Sequence, residues 1–547
     1  MKKIYQLLGT AALVLGFTAC TRDFESMNTD PSAVTDCSPA YTLPTVEELV
    51  SNVDCTPYQR GDNLYAQMYC QYFANLTQGW TSDRYGYNDG WASPGYWEPY
   101  YLALKHLRVL SQTIGNHPEY ANYYSMMRII MAYGTIVTTD NFGDIPYSEA
   151  GYGTDGPKYD AQKDIYTAVF KELTEAVNQL KEGATDQAEC SENNDLIYSG
   201  DVSKWIRFAN SLRLRYALRI SFIDPETAKK EGEAALQSGV MESTDDLAGV
   251  RCTATGSWGV GHPLYVICDW DCFAMSKTFM DYMKKLSSVT DPRMTLWAGQ
   301  TRGWVNNKGI QSKSFKGEQY EGLPNGLSDD QLLKADADGY KPYAADNVSM
   351  PWGLRAFPNW NTAGDRNEVD NNCGTITNIP LKLMAYSEVC FLKAEAALRG
   401  WSGAGDAKAD YEAGIRASFA EARSGVDASL YSTANDDAYM SGSKVAWIDG
   451  DTFEQKLEKI ITQKWIALYP NGNEAWAECR RTGYPKLNPI SSSVDNTINP
   501  ANNEFVKKIR YTDAERRDNP HATESTLNQN QGDGMNVRVW WDTKRYN

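Results

Sequence analysis

Apolar residues that return every three or four positions dominate both ends of this 547-residue chain. A chain so patterned must bury helix faces against one another. From Asp160 to Lys181, the residues Ile165, Val169, Leu173, Ala176, Val177 and Leu180 share one face, acids stand at the start, and Gly183 follows the end. That predicts an amphipathic helix. "GDVSKWIRFANSLRLRYALRIS" repeats the spacing through Trp205, Phe208, Leu212 and Tyr216, and "DTFEQKLEKIITQKWIAL" does so through Phe453, Leu457, Ile460, Ile461 and Leu468. Between Leu381 and Arg399 apolar side chains nearly encircle the axis, which predicts one central helix over that span. Its narrow polar edge carries Glu388, Glu395 and Arg399. The two acids could be drawn as a catalytic pair, but Arg399 stands four residues past Glu395, the spacing of a helical ion pair. A structural role is expected.

The middle of the chain, roughly 241 to 375, reads differently. "TGSWGVGHPLYVICDWDC", "GLPNG" and "MPWGLRAFPNWNTAGDRN" are rich in Gly, Pro, Asn, Asp and Trp, and helical spacing survives only near Phe273 to Leu286. Such a loop-rich insertion on a rigid helical scaffold is where binding is usually placed. "KADADG" puts Asp336, Asp338 and Gly339 at calcium-loop positions, but Lys334 and Ala345 stand where that loop needs acids. A solvated acidic turn is expected. Cys268 and Cys272 are four residues apart, yet no second Cys/His pair is near, and the chain has only four His. No metal and no cofactor is expected.

Aromatic residues among turn formers mark a candidate ligand surface in "TQGWTSDRYGYNDGWASPGYWEPYY". A pyranose has an apolar C–H face that lies on an indole or phenol, and its hydroxyls need polar partners at the ring edge. Trp80, Tyr85 and Trp91 fit the first role; Arg84, Asn88 and Asp89 fit the second. Loop packing is an equally good reading of Trp80, Tyr85 and Trp91. Core packing is preferred for Trp97, Tyr100 and Tyr101, which lead into the helix "EPYYLALKHLRVL". In the insertion Trp258, Trp304, Trp352 and Trp360 complete the set of candidate ligand residues.

The N-terminus adds a location. Lys2 and Lys3 precede a short apolar run from Leu7 to Phe17, too short to span about 30 Å of hydrocarbon, and Ala19 stands before Cys20. Residues 1–19 therefore read as a lipoprotein signal peptide, and Cys20 as the lipidated first residue of a mature chain covering 20–547; an ordinary signal cut near Ala19 is the alternative. Formal charge is −17, and removing Lys2 and Lys3 takes it to −19. Such a surface repels nucleic-acid phosphates and anionic lipid.

Several stretches in order resemble the SusD/RagB-like nutrient-binding outer-membrane lipoproteins of Bacteroidetes. They are "DFESMNTDPSAV", "TDNFGDIPYSEA", "KWIRFANSLRLRYALRI", "DPRM", "GLPNG", "MAYSEVCFLKAEAALRGW", "YEAGIRASF", "ITQKWIALYPNGNEAWAECRRTGYPKL" and "NVRVWWD". The resemblance implies a mostly α fold, a scaffold of four tetratricopeptide-like helix pairs carrying irregular ligand-binding loops. It also implies a glycan or peptide ligand that is bound without cleavage, and a partner, a SusC-like TonB-dependent outer-membrane barrel. No ligand residue is carried over from it. In local terms, Gly143 and Pro146 break a helix near Thr139, with Asp144 expected to accept turn amides. Arg480 and Arg481 suit a helix C-terminus stopped by Gly483. A surface glycoside hydrolase is the alternative function; it needs two carboxylates about 5–10 Å apart across a cleft.

Overall fold

The computed structural model describes residues 38–183, 186–252, 255–256, 259–358, 376–525, 532–543 and 545. Its long helices are α1 (Pro39–Ser51), α2 (Glu98–Thr113), α3 (Ala121–Phe142), α4 (Gln162–Glu182), α5 (Val202–Arg219), α6 (Pro225–Ser238), α7 (Lys277–Lys285), α8 (Tyr386–Leu398), α9 (Ala407–Arg423), α10 (Phe453–Leu468) and α11 (Gly472–Thr482). Local chemistry sets most of their ends. Asp201 caps α5 by accepting from the Lys204 amide at 3.1 Å, and Asp224 caps α6 from Thr227 at 3.2 Å. Thr452 and Gln455 form a reciprocal capping box on α10. Gly483, at φ +75°, closes α11 in the left-handed conformation that glycine tolerates.

Consecutive helices pack as pairs, α3 with α4, α5 with α6, α8 with α9 and α10 with α11, the tetratricopeptide-like arrangement. The stripe of Ile165, Val169, Leu173 and Leu180 on α4 is buried, each such side chain contributing about 1.5–3 kcal/mol. α8 is central: Val389, Cys390, Phe391 and Ala394 are all fully buried.

Two local expectations are corrected. The span from Leu381 is not continuous helix. Leu381–Met384 is a strand, β4, antiparallel to Ala248–Val250 (β2), with Gly249 opposite Lys382. Ala385 is extended (φ −124°, ψ 160°) and the helix starts only at Tyr386. An all-apolar run suits a buried strand or a buried helix, and pairing with a distant strand decides between them. The helix expected to stop near Thr139 runs on to Phe142, ending at Gly143 with φ +87°. Asp144 accepts the Gln162 amide at 2.9 Å, which opens α4, so it couples two helices of a pair.

The pairs meet over a buried ionic cluster. Arg215 of α5 grips Glu388 of α8 through two bonds of 2.8 and 2.6 Å. One turn on, Arg219 reaches Glu474 at 2.5 Å, Glu478 at 2.9 Å and Asp140 of α3 at 3.4 Å. Arg481 forks onto Glu395 at 2.7 and 2.6 Å and also binds Glu478 at 2.6 Å. Lys464 of α10 lies 3.3–3.6 Å from Glu474, Glu388 and Glu478. Glu395 pairs with Arg399 as its spacing predicts, at 2.8 Å. Burial alone would raise the Glu478 carboxyl, but Arg481, Lys464 and Arg219 outweigh it and hold the group well below the usual carboxylate range. Glu388 and Glu395 are therefore saturated by cations and closed to solvent.

The insertion is tied down at its own polar points. β1 (Phe73–Asn75) pairs with β3 (Phe273–Met275), Phe73 opposite Met275. In "GLPNG", Gly322 lets its backbone lie against Lys277, since a Cβ there would meet the Lys277 Cα at 2.5 Å. Asn325 donates to the Phe73 carbonyl at 2.7 Å, and the Gly326 amide donates to Asp83 at 3.0 Å. In "DPRM", Arg293 pairs with Asp291 at 2.6 Å and reaches Gln463 of α10 at 3.0 Å and Ser418 of α9 at 2.9 Å. Asp336 and Asp338 share the Lys316 ammonium at 2.5 and 2.8 Å. Cys268 accepts from the Trp352 indole at 3.1 Å, whereas the Cys272 thiol donates to the Trp270 carbonyl at 3.3 Å.

Arg481→Met leaves Glu395 and Glu478 short of their main cation and should lower unfolding free energy by about 3–5 kcal/mol in a denaturant titration; a loss under ~1 kcal/mol would refute the cluster's importance. Burial raises the Asp83 carboxyl to about 6, offset in part by the Gly326 and Asn75 amides. Because the folded value lies above the unfolded one, the folded state holds the proton more tightly, and stability falls as pH rises from about 4 to about 6. Asp83→Asn should shrink that fall by about 3 kcal/mol, and parallel stability–pH curves for the two proteins would contradict it.

Candidate ligand-binding face

The loop leaving β1 is built by one asparagine. Asn75 donates to the carbonyls of Thr77 at 2.8 Å and Trp80 at 3.1 Å, and its oxygen accepts the Thr77 amide at 3.1 Å. Gly79, at the exposed tip, donates to the Asp329 carboxylate at 3.2 Å. Trp80, held at the end of this turn, meets Trp91 edge to face, with ring centroids 5.3 Å apart and planes at 64°. Both rings are half-buried, so each keeps surface for a ligand.

Polar residues lie between the two rings in sequence. Arg84 is half-buried, and its Nε has no hydrogen-bond acceptor among the described residues. Asn88 is exposed. Asp89 is committed to structure, accepting the Tyr87 hydroxyl at 2.8 Å and the Asp513 amide at 2.6 Å, which ties the loop to the C-terminal segment. Tyr87 is half-buried under the Arg510 guanidinium, 5.3 Å from the ring centre. It stands in the same run as Trp80 and Trp91, and alternation with Gly was the available signal for it.

The insertion residues divide. Trp304 lies half-buried on the one-turn helix Arg302–Asn306, with Gly309 (φ +73°) turned tightly over its ring edge. Arg302 of that helix pairs with Asp271 at 3.2 Å, while the next residue, Cys272, accepts the Leu76 amide at 2.9 Å. The Trp270–Cys272 turn thus bridges the Trp304 helix and the Trp80 loop. Tyr85 and Trp352 do not present rings to solvent. Tyr85 is 2% exposed and packs edge-on against Tyr69, and Trp352 is 1% exposed beneath the Arg302 guanidinium at 4.8 Å. Their neighbours in sequence are turn formers, but the rings fold inward. Trp258, Trp360 and Cys20 lie outside the described residues. Trp97 and Tyr100 are buried, as core. Among the described residues no group of His, Cys, Asp and Glu is placed to hold a metal, and no helix is long and apolar enough to cross a membrane.

Two half-buried indoles, edge to face, share one segment with a half-buried cation and an exposed amide, a composition suited to a partly apolar, hydroxylated ligand. No curated protein matches the chain. Among solved structures, a SusD homologue from Bacteroides uniformis is 26% identical, with a TM-score of 0.75, over 93% of this chain and 100% of its own. One from Bacteroides thetaiotaomicron is 26% identical, with a TM-score of 0.73, over 94% and 100%. A chitin-binding SusD homologue from Flavobacterium johnsoniae is 29% identical, with a TM-score of 0.71, over 92% and 99%. The family described as "Susd and RagB outer membrane lipoprotein" matches residues 26–542, and the chain therefore belongs to the SusD-like family.

Proposed function

We propose that this nutrient-binding protein captures an oligosaccharide on the face formed by Trp80, Trp91, Arg84 and Trp304. It then passes the ligand to a SusC-like TonB-dependent barrel while tethered to the outer membrane through lipidated Cys20. The observation that carries the reading is the half-exposed Trp80–Trp91 pair, with Arg84 lying between the two rings in sequence. One indole can take the C–H face of a pyranose while Arg84 meets a ring hydroxyl. The description of the Flavobacterium relative as chitin-binding supports a sugar over a peptide. Binding without hydrolysis is supported by the family, whose members are binding proteins, and by the state of Glu388 and Glu395. Both carboxylates are locked onto guanidinium groups in the core, where neither a water nor a glycosidic bond reaches them.

Transport needs a second protein. A lipid-anchored body can hold a nutrient but cannot carry it across the outer membrane, so the barrel supplies the pore. The polar stretch after Cys20 serves as a tether that lets the body swing without detaching.

Calorimetry of the detergent-solubilised full-length protein against a panel of chito-oligosaccharides, other glycans and peptides tests the ligand. Glycan binding is expected in roughly the micromolar to millimolar range, and Trp80→Ala or Trp91→Ala should weaken it by about 1–3 kcal/mol with unchanged far-UV circular dichroism. Binding of peptides alone, or wild-type affinity in both variants, would reject the sugar face. Fractionation of the native host tests the anchor and the partner together. The wild-type protein should pellet with outer membrane and co-purify with the barrel over an interface well above roughly 2,000 Å², while Cys20→Ala should be released from the lipid in cells lacking the barrel. Recovery of the protein alone, although the barrel is expressed, would overturn the partnership, and retention of Cys20→Ala at wild-type levels in cells lacking the barrel would overturn the anchor.

A further inference from the structure

A separate cavity of about 330 Å³ opens where the insertion rests on the scaffold, between β4, α9 and the end of α10. It shares no lining residue with the aromatic face. Two of its walls are the rings of Tyr265 and Trp297, and two of its polar groups are the cations Arg355 and Lys382.

Neither cation has a carboxylate within ion-pair distance among the described residues. Arg355 makes no ion pair among the described residues, and its buried Nε has no hydrogen-bond acceptor there. A guanidinium cannot shed its charge, so burying its Nε donor unpaired is costly. Lys382 donates to two neutral carbonyls, Ala467 at 2.6 Å and Tyr469 at 2.9 Å, and has no carboxylate partner among the described residues. Burial lowers it to about 8, which leaves it protonated at neutral pH.

Of the other titratable groups around the cavity, only Glu421 among the lining residues offsets both cations, and it does so without ion-pair contact among the described residues. Glu421 accepts the Ser387 amide at 2.8 Å and hydroxyl at 2.6 Å; burial pushes its carboxyl up, and Lys382 and Arg355 act against that rise. Burial holds His262 at about 3, so the ring is neutral, and its Nδ1 accepts the Leu264 amide at 3.3 Å. Asp245 stands exposed at the rim, open to water. Two cations facing one buried carboxylate leave a local excess of positive charge inside a chain of formal charge −17.

We propose that this cavity is a binding site for a small carboxylate-bearing ligand of sugar-acid size, its carboxylate held by Arg355 and Lys382 and its body lying against Tyr265 and Trp297. The donors of a guanidinium match a carboxylate in two-point geometry, and the volume falls at the lower end of the range for small-molecule sites. The site does not depend on the aromatic face, so either can fail without the other.

Calorimetry of the full-length protein in mild detergent tests it, with D-glucuronate as the probe and D-glucose as its neutral twin. Glucuronate should bind at least about tenfold more tightly than glucose, and Arg355→Gln should weaken glucuronate by about tenfold or more. The same variant should leave any neutral-glycan binding that depends on Trp80 unchanged. Equal affinity for glucuronate and glucose in the unaltered protein, or wild-type glucuronate affinity in Arg355→Gln, would overturn the site. The first comparison needs no variant, so a folding defect in Arg355→Gln cannot rescue the proposal.

Discussion

The buried ionic cluster on α3, α5, α8, α10 and α11 is the constraint on which the scaffold rests. Arg219, Arg481, Lys464, Glu388, Glu395 and Glu478 are all 0–2% exposed in side-chain surface, so each charge depends on its partners for solvation. Taking such groups out of water costs several kcal/mol per ion, and mutual attraction returns that only in good geometry. A helix turned by one residue would strand a carboxylate among apolar side chains. Apolar stripes press the pairs together, and the charges determine which turn faces which.

That rigidity is what a binding face made of loops requires. The Trp80 loop has little regular structure of its own, yet Asn75, Asp83 and Asp329 fasten it to β1, the "GLPNG" turn and the start of the next short helix. The insertion in turn reaches α9 and α10 through Arg293. Ring positions set by such short polar links can differ between relatives without disturbing the helix pairs, which lets one scaffold serve different ligands.

The helices were legible because period and caps are local. Ile165 to Leu180 on α4, the Thr452–Gln455 box and Gly483 announce themselves within a few residues. Burial of the aromatics was not legible in the same way. Tyr85 and Trp80 sit five residues apart among the same turn formers, and one is core while the other keeps an exposed face. The φ of +62° at Tyr85 sends that ring toward Tyr69, a turn no composition rule predicts. Leu381–Met384 failed for a related reason, since an apolar run acquires its conformation from its partner, here Ala248–Val250.

Sequence by itself determined the helical class, individual amphipathic helices such as α4 and α10, and the ion-pair role of Glu395 with Arg399. Each is a matter of spacing along one chain, and spacing is what a sequence records. Tertiary structure alone decided that Arg215 and Arg481 answer Glu388 and Glu395, that Trp80 meets Trp91 while Trp352 turns inward, and that Arg355 and Lys382 share one cavity with neither in ion-pair contact with a carboxylate among the described residues. Those facts join residues tens to hundreds of positions apart, and the free energy that selects them comes from burial and charge pairing, which exist only once the chain has closed on itself.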